Sequence, residues 1–365
     1  MITDALVVGG GPAGLASAYE VASRGYKVTI VDEARELGGQ LRAQTQLIDP
    51  MPAALSGLRG FQLANRLIQR LQSLSVEYLL AHEAIGVCAD GSVGISHQEN
   101  VEKIIAKSVV VATGAAESAF PFPGWTLPGV MTIGAAQMLI NRERVYPGRT
   151  TLVIGSSDMA LRIAQQMSEV GIRVLVVAEA AGRATAGEDR TIADFDRTGI
   201  PLLLNTNIVS ASGRGKVEEV HLWESADKNR EHKYQVDFLC LDGGRHPILE
   251  ALAVLNCQLT YRQGLGGWVP CYSTDFESSV PGTFVAGQAA GVTGHAGIYL
   301  TGAIAGVSVV DYLEKQASPE RRDIKQAYWK ELESIEAVRW PEVWQARQAH
   351  IAISPRSGSL GKHNG

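Results

Sequence analysis

The sequence predicts an α/β protein with two domains, each built on a parallel sheet, the second inserted in the first. Two similar stretches support this prediction: VVGGGPAGLASA at residues 7–18 and VIGSSDMALRIA at residues 153–164. Each follows a short apolar strand, opens a helix and leads to a second strand that ends in an acid. Such a strand–helix–strand unit joins parallel strands, and its ligand binds at their carboxyl ends. A late stretch, VPGTFVAGQAAG at residues 280–291, predicts a strand that returns to the first domain.

The first glycine-rich stretch has the pattern of a Rossmann-like dinucleotide-binding loop. Gly9 makes the tight turn, Gly11 lets a pyrophosphate approach the backbone, and Gly14 lets the helix pack on the strand. The helix N-terminus offers N–H groups and a partial positive charge to the phosphates. The residues predicted to bind the cofactor here are Gly9, Gly11, Pro12, Ala13 and Gly14.

The strand after this loop, KVTIVDE, ends in two acids. Asp32 follows Gly14 by 18 residues, which is close to the spacing expected for a carboxylate that binds ribose hydroxyls. Glu33 takes that role if the strand is one residue longer. Together, the strand, the helix and the acid make dinucleotide binding a much more specific prediction than the glycines alone.

The rest of the chain is divided by its composition. After GGQL comes a predicted helix, RGFQLANRLIQRLQSL, and then VEYLL, AIGVC, SVGIS and VEKII, which alternate like a small antiparallel meander. KSVVVATGA predicts a buried strand, and the proline-glycine connector PFPGWTLPGV predicts the crossing into the second domain. We therefore predict a first domain of residues 1–118 and 262–315, a second of 119–261, and a helical tail of 316–365.

The second glycine-rich stretch is eroded. Its three pattern positions are Gly155, Ser157 and Ala160. Alanine is tolerated at the third position, but a serine at the second places a side chain where pyrophosphate would approach the backbone. Glu179 ends the next strand and could still hold an adenosine ribose. We predict a domain kept as a scaffold without its nucleotide, and a working NAD site is the less favoured alternative.

Composition excludes several classes of function. The chain has 365 residues, 45% of them hydrophobic, and a net charge of -5, so nucleic acid and anionic membrane surfaces are poor partners. Its longest apolar run, GIYLTGAIAGVSVVDYL, is interrupted by glycines and polar residues, and no signal peptide is evident. We expect a cytoplasmic protein without a transmembrane segment. Cys88, Cys240, Cys257 and Cys271 show no C-x-x-C spacing, so we predict no metal site or redox disulfide.

Several separated motifs, taken in order, resemble a known family. VVGGGPAGLASA, VDEARELGGQ, VVVATGA, the second strand–helix–strand unit and VPGTFVAGQAAG resemble flavoproteins with two dinucleotide-binding domains, of the thioredoxin reductase-like and disulfide reductase families. The resemblance covers residues 1–315. It implies that the first domain binds FAD and that the second is NAD-binding-like. The further FAD contacts it implies are Gly39, Gln40, Ala112, Thr113, Gly114, Gly287, Gln288 and Thr301.

Two longer stretches are similar to a narrower group. FPFPGWTLPGVMTIGAAQ and GGWVPCYSTDFESSVPGTFVAGQAAGVTGHAG resemble the alpha subunits of heteromeric dye-linked amino-acid dehydrogenases. These include proline and hydroxyproline dehydrogenase, opine oxidase, hydrogen cyanide synthase and sarcosine oxidase. In these complexes an amino-acid oxidase-like beta subunit oxidises the C–N bond, and the alpha subunit relays electrons. The resemblance implies such a partner, a small iron–sulfur protein as a further partner, and contact with the inner membrane face through partners.

The chain departs from this group at two points. Many such subunits end in a cysteine-rich iron–sulfur module, but this chain has no cysteine after Cys271, so a cluster would require another chain. Gln288 stands where the family has an acid that binds the ribityl chain, although an amide can still hydrogen-bond a hydroxyl.

Candidate catalytic residues are few. His295 is a weak candidate for proton transfer, and a structural role is the alternative. Thr301 is predicted either to open the helix that points at the flavin C2 carbonyl or simply to cap it. The tryptophans of the tail are expected either to anchor a subunit interface or to pack on their own domain.

We therefore predict a flavin-dependent oxidoreductase, the alpha-type subunit of a heteromeric amino-acid dehydrogenase acting on C–N bonds. One alternative is a stand-alone NADH-dependent flavin reductase. Another is a non-catalytic scaffold subunit that holds a nucleotide.

Overall fold

The computed structural model describes residues 1–88, 91–98, 100–187, 189–225 and 230–353. It divides into two compact units: unit 1 comprises Met1–Ala116 with His246–Gly365, and unit 2 comprises Glu117–Arg245. Both are α/β units with a parallel sheet, and unit 2 is inserted in the sequence of unit 1. The predicted fold class is confirmed.

Nineteen strands are found among the described residues. In chain order they are β1 (Ile2–Val8), β2 (Val28–Asp32), β3 (Val76–Leu80), β4 (Glu83–Val87), β5 (Val93–His97), β6 (Asn100–Val111), β7 (Ala115–Glu117), β8 (Val130–Thr132), β9 (Thr150–Ile154), β10 (Arg173–Ala178), β11 (Leu202–Leu203), β12 (Thr206–Ser212), β13 (Glu219–Glu224), β14 (Glu231–Gln235), β15 (Phe238–Leu241), β16 (Arg245–Pro247), β17 (Leu259–Arg262), β18 (Gly267–Pro270) and β19 (Thr283–Val285).

Nine α-helices are found in the same part of the chain. They are α1 (Pro12–Ala22), α2 (Gly60–Gln69), α3 (Ile133–Gln137), α4 (Asp158–Glu169), α5 (Asp189–Asp196), α6 (Glu250–Val254), α7 (His295–Glu314), α8 (Pro319–Arg339) and α9 (Pro341–Ile353). Short 3-10 turns occupy Gly39–Ala43, Ala53–Leu55, Gln263–Leu265 and Gly287–Ala290, and a π-helical turn occupies Met138–Arg142.

The sheet of unit 1 has the strand order β3-β2-β1-β6-β5-β4, with β19 also paired to β6. Strands β1, β2, β3 and β19 run parallel to their neighbours, whereas β4 and β5 are antiparallel. The predicted meander is therefore wrong in its first strand, because VEYLL is β3 and pairs parallel to β2. The physical reason is the intervening α2, since a helical crossover connects parallel strands and a tight turn connects antiparallel ones.

Helices α1 and α7 pack closely in the core of unit 1. A side chain at Gly302 would lie 2.2 Å from the Ala13 carbonyl oxygen, and one at Gly306 would lie 2.6 Å from that of Ser17. Glycine at these positions lets the two backbones approach each other. By length and composition α7 could span a membrane, but 78% of its apolar window is buried inside the structure. We interpret α7 as a core helix of unit 1.

Unit 2 has a parallel sheet with the order β11-β10-β9-β15-β8. Helices α3, α4 and α5 contribute to the core on one side, and a three-stranded antiparallel sheet, β12-β13-β14, contributes to the core on the other. Strand β9 and helix α4 flank the eroded loop, so that loop lies at the carboxyl end of β9, as the sequence predicts.

Residues 246–261 belong to unit 1, whereas the sequence predicts them in the second domain. The reason is that Leu252 and Cys257 are buried in the main core cluster of unit 1. In addition, the Ile248 N–H donates to the Gly114 carbonyl oxygen at 3.0 Å. This segment therefore lies beside the end of β6 and is not part of the unit 2 core.

The tail, predicted to be helical, forms two helices, α8 and α9, as far as the structure describes it; the predicted tail residues 354–365 lie outside that part. Trp329 of α8 stacks on Phe276 with a ring separation of 5.4 Å, and Trp344 of α9 lies 6.3 Å from Trp329. Both tryptophans therefore pack against unit 1, which was the alternative to an interface role.

Candidate cofactor site

The glycines after β1 play distinct structural roles. A Cβ on Gly9 would lie 2.3 Å from the Ala112 carbonyl oxygen, and one on Gly14 would lie 1.9 Å from that of Gly9. Neither residue can therefore carry a side chain. Gly11 is different, because a Cβ there would meet no described atom within 4 Å. Gly11 thus provides the open face of the loop, where a pyrophosphate could approach the backbone.

The N-terminus of α1 is suited to an anion. Gly11 is its N-cap in an extended conformation, Pro12 occupies the first turn, and no described side chain caps the helix. The first turn also contains no acidic residue. Because the first N–H groups of a helix lack intrahelical partners and carry partial positive charge, these features fit the phosphates of a dinucleotide.

Asp32 lies beside the loop at the end of β2. Its Oδ2 accepts the Gly10 N–H at 2.6 Å, and its Oδ1 accepts the Ala34 N–H at 2.7 Å. Glu33 is exposed. The structure therefore brings Asp32 to the loop, in the place expected of a ribose-binding carboxylate. Sequence reasoning missed Gly10, where a Cβ would lie 2.4 Å from the Leu37 side chain and 3.0 Å from Asp32 Oδ2.

The GGQL segment folds back onto the loop. The Gly38 N–H donates to the Gly10 carbonyl oxygen at 2.8 Å, and a Cβ on Gly39 would lie 3.1 Å from Gly11 Cα. Gln40, next in the chain, is exposed. Of the two predicted residues, Gly39 therefore lies against the loop, whereas Gln40 faces solvent.

The three residues after β6 lie on another side of the site. The Ala112 N–H donates to the Val8 carbonyl oxygen at 2.8 Å, which places Ala112 against the loop. The Thr113 Oγ1 donates to the Ile248 carbonyl oxygen at 3.0 Å. Gly114 has a φ of +83, and a Cβ there would meet no described atom within 4 Å. Gly114 is therefore a second open position, while Thr113 holds the 246–261 segment.

We define the late loop as residues 287–294, between β19 and α7. It begins against α1, since a Cβ on Gly287 would lie 2.7 Å from Ala13 Cβ. Gln288 is only 6% exposed, and its Nε2 donates to the Thr293 carbonyl oxygen at 3.3 Å. The late loop thus brings Gln288 to the carboxyl end of the sheet, where its amide nitrogen already donates a hydrogen bond inside the loop.

Thr301 does not open α7, and this prediction is wrong. The helix begins at His295 with Gly294 as its N-cap, so Thr301 lies in its second turn. Its Oγ1 accepts the Gly287 N–H at 2.9 Å and donates to the Gly297 carbonyl oxygen at 2.7 Å. Thr301 therefore holds the start of the late loop on α7.

His295 lies at the first position of α7. Its Nε2 is 2.8 Å from Oε1 of Gln44, a buried residue that follows the GGQL segment. This contact places His295 on the same side of unit 1 as the glycine loop. Sequence reasoning did not single out Gln44, and no motif marks it.

The eroded loop of unit 2 is occupied by the chain's own groups. The Ser157 N–H donates to Asp242 Oδ2 at 3.0 Å, and Ser157 Oγ accepts the Ala160 N–H at 3.4 Å. A Cβ on Gly155 would lie 2.5 Å from the Asp242 carbonyl oxygen. A carboxylate therefore lies at the N-terminus of α4, and its negative charge disfavours an anion there. Sequence reasoning missed Asp242, which follows β15 and is remote from the motif.

Glu179 is also engaged within unit 2. It is 7% exposed, and its Oε2 accepts the Ser156 hydroxyl at 2.6 Å. Its Oε1 accepts the Ala181 N–H at 2.9 Å. Ser156 Oγ in turn accepts the Thr185 N–H at 2.9 Å. Asp32 of unit 1 accepts two backbone N–H groups in a similar way, but it is partly exposed, whereas Glu179 is buried among groups of unit 2.

The cysteines are free thiols. Burial raises the pKa of Cys240 to about 12, and it also raises the pKa values of Cys257 and Cys271. These three thiols therefore stay protonated at neutral pH and are poor nucleophiles. Among the described residues, no group of three or more His, Cys, Asp or Glu side chains could hold a metal ion.

Solved structures resemble the chain in fold. L-proline dehydrogenase from P. horikoshii superposes with a TM-score of 0.69 at 24% identity, over 92% of this chain and 59% of that chain. Thioredoxin reductase from T. acidophilum superposes with a TM-score of 0.69 at 20% identity, over 86% of this chain and 99% of that chain. Both likenesses support the architecture of two Rossmann-like domains.

Curated relatives are named as components of multi-subunit enzymes. One component of the opine oxidase from Rhizobium meliloti (strain 1021) is 28% identical, over 84% of this chain and 70% of its own length. The HcnB component of hydrogen cyanide synthase from Pseudomonas aeruginosa is 28% identical, over 92% of this chain and 76% of its own length. The alpha subunit of sarcosine oxidase from Rhizobium meliloti is 30% identical, over 87% of this chain but only 31% of that longer protein.

The sequence profile of the family described as pyridine nucleotide-disulphide oxidoreductase matches residues 3–326. This range includes both glycine-rich loops, the late loop and α7. The family implies a flavin cofactor, which the open loop of unit 1 fits. The chain is therefore a flavoprotein oxidoreductase that belongs to the pyridine nucleotide-disulphide oxidoreductase family.

Proposed function

We propose that the chain is the FAD-binding, alpha-type subunit of a heteromeric amino-acid dehydrogenase. The observation that supports this most is the contrast between the two nucleotide loops. In unit 1, Gly11 leaves the N-terminus of α1 open, whereas in unit 2 Asp242 accepts the Ser157 N–H and so occupies the N-terminus of α4. A flavoprotein that does not bind NADH has another source of electrons, and in this proposal that source is a partner subunit.

In this proposal the FAD lies in unit 1. Gly11 and the first turn of α1 receive the pyrophosphate, and Asp32 accepts hydrogen bonds from the adenosine ribose. Gly39, Gly114 and Gln288 would hold the ribityl chain and the flavin ring. FAD supplies acceptance and release of electrons; the chain's own residues bind it and orient it. The remaining proposed contacts are Gly9, Pro12, Ala13, Gly14, Ala112, Thr113, Gly287 and Thr301.

We propose two partners for this chain. An amino-acid oxidase-like beta subunit oxidises the C–N bond of an amino acid such as proline, hydroxyproline or an opine, and passes the electrons on. The names of the relatives, which are subunits of opine oxidase, hydrogen cyanide synthase and sarcosine oxidase, support this assignment. A small iron–sulfur protein then carries electrons to the acceptor.

We place the complex in the cytoplasm, where it meets the inner membrane face through its partners. The four free cysteines support a reducing compartment, since disulfides are rare there.

A scaffold subunit that holds a nucleotide without redox chemistry is disfavoured, because the chain belongs to a family of flavin-dependent oxidoreductases. A stand-alone NADH-dependent flavin reductase is disfavoured, because it requires unit 2 to bind NADH despite the carboxylate of Asp242.

The first experiment is the visible spectrum of the purified chain, followed by NADH without oxygen. We expect a flavin band that NADH leaves oxidised and that dithionite bleaches, the latter showing that the flavin is reducible. The co-purified beta subunit, supplied with its amino acid, should then bleach the same band. Bleaching by NADH alone would overturn the relay and favour the reductase. A chain that binds nucleotide but no flavin would favour the scaffold.

A further inference from the structure

The late loop is held by several segments of unit 1. It contains three glycines, at positions 287, 291 and 294, so fixing it in one conformation carries a large cost in backbone entropy. Thr301 of α7 holds its start, and the Leu265 carbonyl oxygen accepts the Val292 N–H at 2.9 Å. The C-terminal helices α8 and α9 hold the rest of the loop, around Thr293 and Gly294.

The central contact is a buried ion pair between these helices. Glu336 of α8 and Arg347 of α9 are both 0% exposed. Arg347 Nε donates to Glu336 Oε2 at 3.0 Å, and its Nη2 donates to Oε1 at 3.0 Å. Glu336 Oε1 also accepts the hydroxyl of Thr293 in the late loop. One carboxylate thus receives donors from α9 and from the late loop.

Two further contacts extend from this pair to the late loop. Arg347 Nη1 donates to the Tyr272 hydroxyl at 3.2 Å, and that hydroxyl donates to the Ala290 carbonyl oxygen at 2.8 Å. Trp340, at the end of α8, lies against Gly294, where a Cβ would be 2.2 Å from the indole ring. The C-terminal helices therefore contact the late loop directly at residues 293 and 294, and at residue 290 through the Tyr272 hydroxyl.

We propose that Glu336, neutralised by Arg347, is a positioning residue that holds the late loop in the conformation that receives the flavin cofactor. This inference rests on the proposed FAD site, because Gln288 and His295 lie at the two ends of the loop segment that Glu336 fixes. A buried ion pair contributes little net stability, so a role in selecting one conformation explains its presence better than a role in folding free energy.

The chemistry requires a carboxylate at position 336. Its two oxygens accept three hydrogen bonds, two from Arg347 and one from Thr293. A glutamine there would turn an NH₂ group toward one of these donors. The C-terminal helices therefore act as part of the cofactor site although no motif in them suggests it.

The test uses the full chain with Thr293→Val, Thr293→Ser and, as a control, the exposed Thr274→Val. Valine keeps the volume of threonine and loses the hydroxyl, whereas serine keeps the hydroxyl. Two quantities are measured: hydrogen exchange of the amides of 287–298 in cofactor-free protein, and the FAD dissociation constant from flavin fluorescence. We expect Thr293→Val to speed exchange and to weaken FAD binding about tenfold or more, since it removes a hydrogen bond to a charged group.

The serine variant should behave like the wild type, and Thr274→Val should change neither quantity. The inference is refuted if Thr293→Val leaves both exchange and affinity unchanged, or if serine behaves like valine, which would indicate packing alone. Wild-type protein that binds no flavin would refute the proposed function, and the exchange data would still decide whether Glu336 holds the loop.

Discussion

Gly11→Ala separates cofactor binding from folding. The added Cβ meets no described atom within 4 Å, and the backbone at Gly11, with φ -74 and ψ -177, suits alanine. Replacing glycine by alanine at a compatible site stabilises a protein by about 0.4–1 kcal/mol. Alanine is a poorer N-cap than glycine by roughly 0.5 kcal/mol or more. These effects nearly cancel, so the free energy of unfolding should change by less than about 1 kcal/mol.

FAD affinity should respond much more strongly. The new methyl group lies on the open side of the loop, where the pyrophosphate must approach the backbone. Loss of one hydrogen bond to a charged phosphate costs about 1.5–3 kcal/mol, which is about 10- to 150-fold in the dissociation constant. We would measure that constant by fluorescence titration of cofactor-free protein, and stability by urea unfolding.

The matched control for this substitution is Gly86→Ala. Gly86 lies in β4, and its Cβ would also meet no described atom within 4 Å. It should change neither FAD binding nor folding appreciably. If Gly11→Ala bound FAD as tightly as the wild type, the open face of the loop would not be the pyrophosphate site. The assignment of unit 1 as the FAD-binding unit would then be wrong.

Three more predictions concern unit 2 and the C-terminal helices. Ser157→Gly should lower the free energy of unfolding by only a few tenths of a kcal/mol. It should not allow NADH to reduce the flavin, because the Asp242 carboxylate remains at the N-terminus of α4. Arg347→Met should lower the free energy of unfolding by about 3–5 kcal/mol, since it leaves Glu336 buried without its cation; the double variant with Glu336→Leu should recover part of this. Burial lowers the pKa of His350 to about 4, so the stability that its neutral form contributes is fully present above about pH 6.5. That contribution falls by the order of 3 kcal/mol towards pH 4, and His350→Gln should reduce the loss of stability in acid.

Each of these predictions has an outcome that contradicts it. NADH-dependent bleaching in Ser157→Gly would show that serine alone closes the loop of unit 2. Equal stability of the Arg347→Met single variant and the double variant in urea would show that the lost cation is not the source of the effect. Unchanged acid dependence in His350→Gln, followed by unfolding at several pH values, would assign that dependence to other groups.

Much of the fold follows from local patterns in the chain. The two strand–helix–strand units were predictable because glycine spacing, strand apolarity and the terminal acid act within about 30 residues. The same is true of Gly9, Gly11 and Gly14, whose steric roles the structure shows directly. The predictions were wrong where the interacting residues are far apart in the sequence. The pairing of β3 depends on a crossover helix, and the placement of 246–261 depends on its burial against unit 1.

The sequence by itself determined that this chain has one intact and one eroded dinucleotide loop, because the number of glycines and the spacing of the acid are local properties. Only the tertiary structure decided which of the chain's own groups lie at each loop. Asp242 reaches Ser157 across 85 residues of sequence, and Glu336 reaches Thr293 across 43. Whether a helix N-terminus is open to a ligand depends on which distant side chains the fold delivers to it, and no local pattern contains that information.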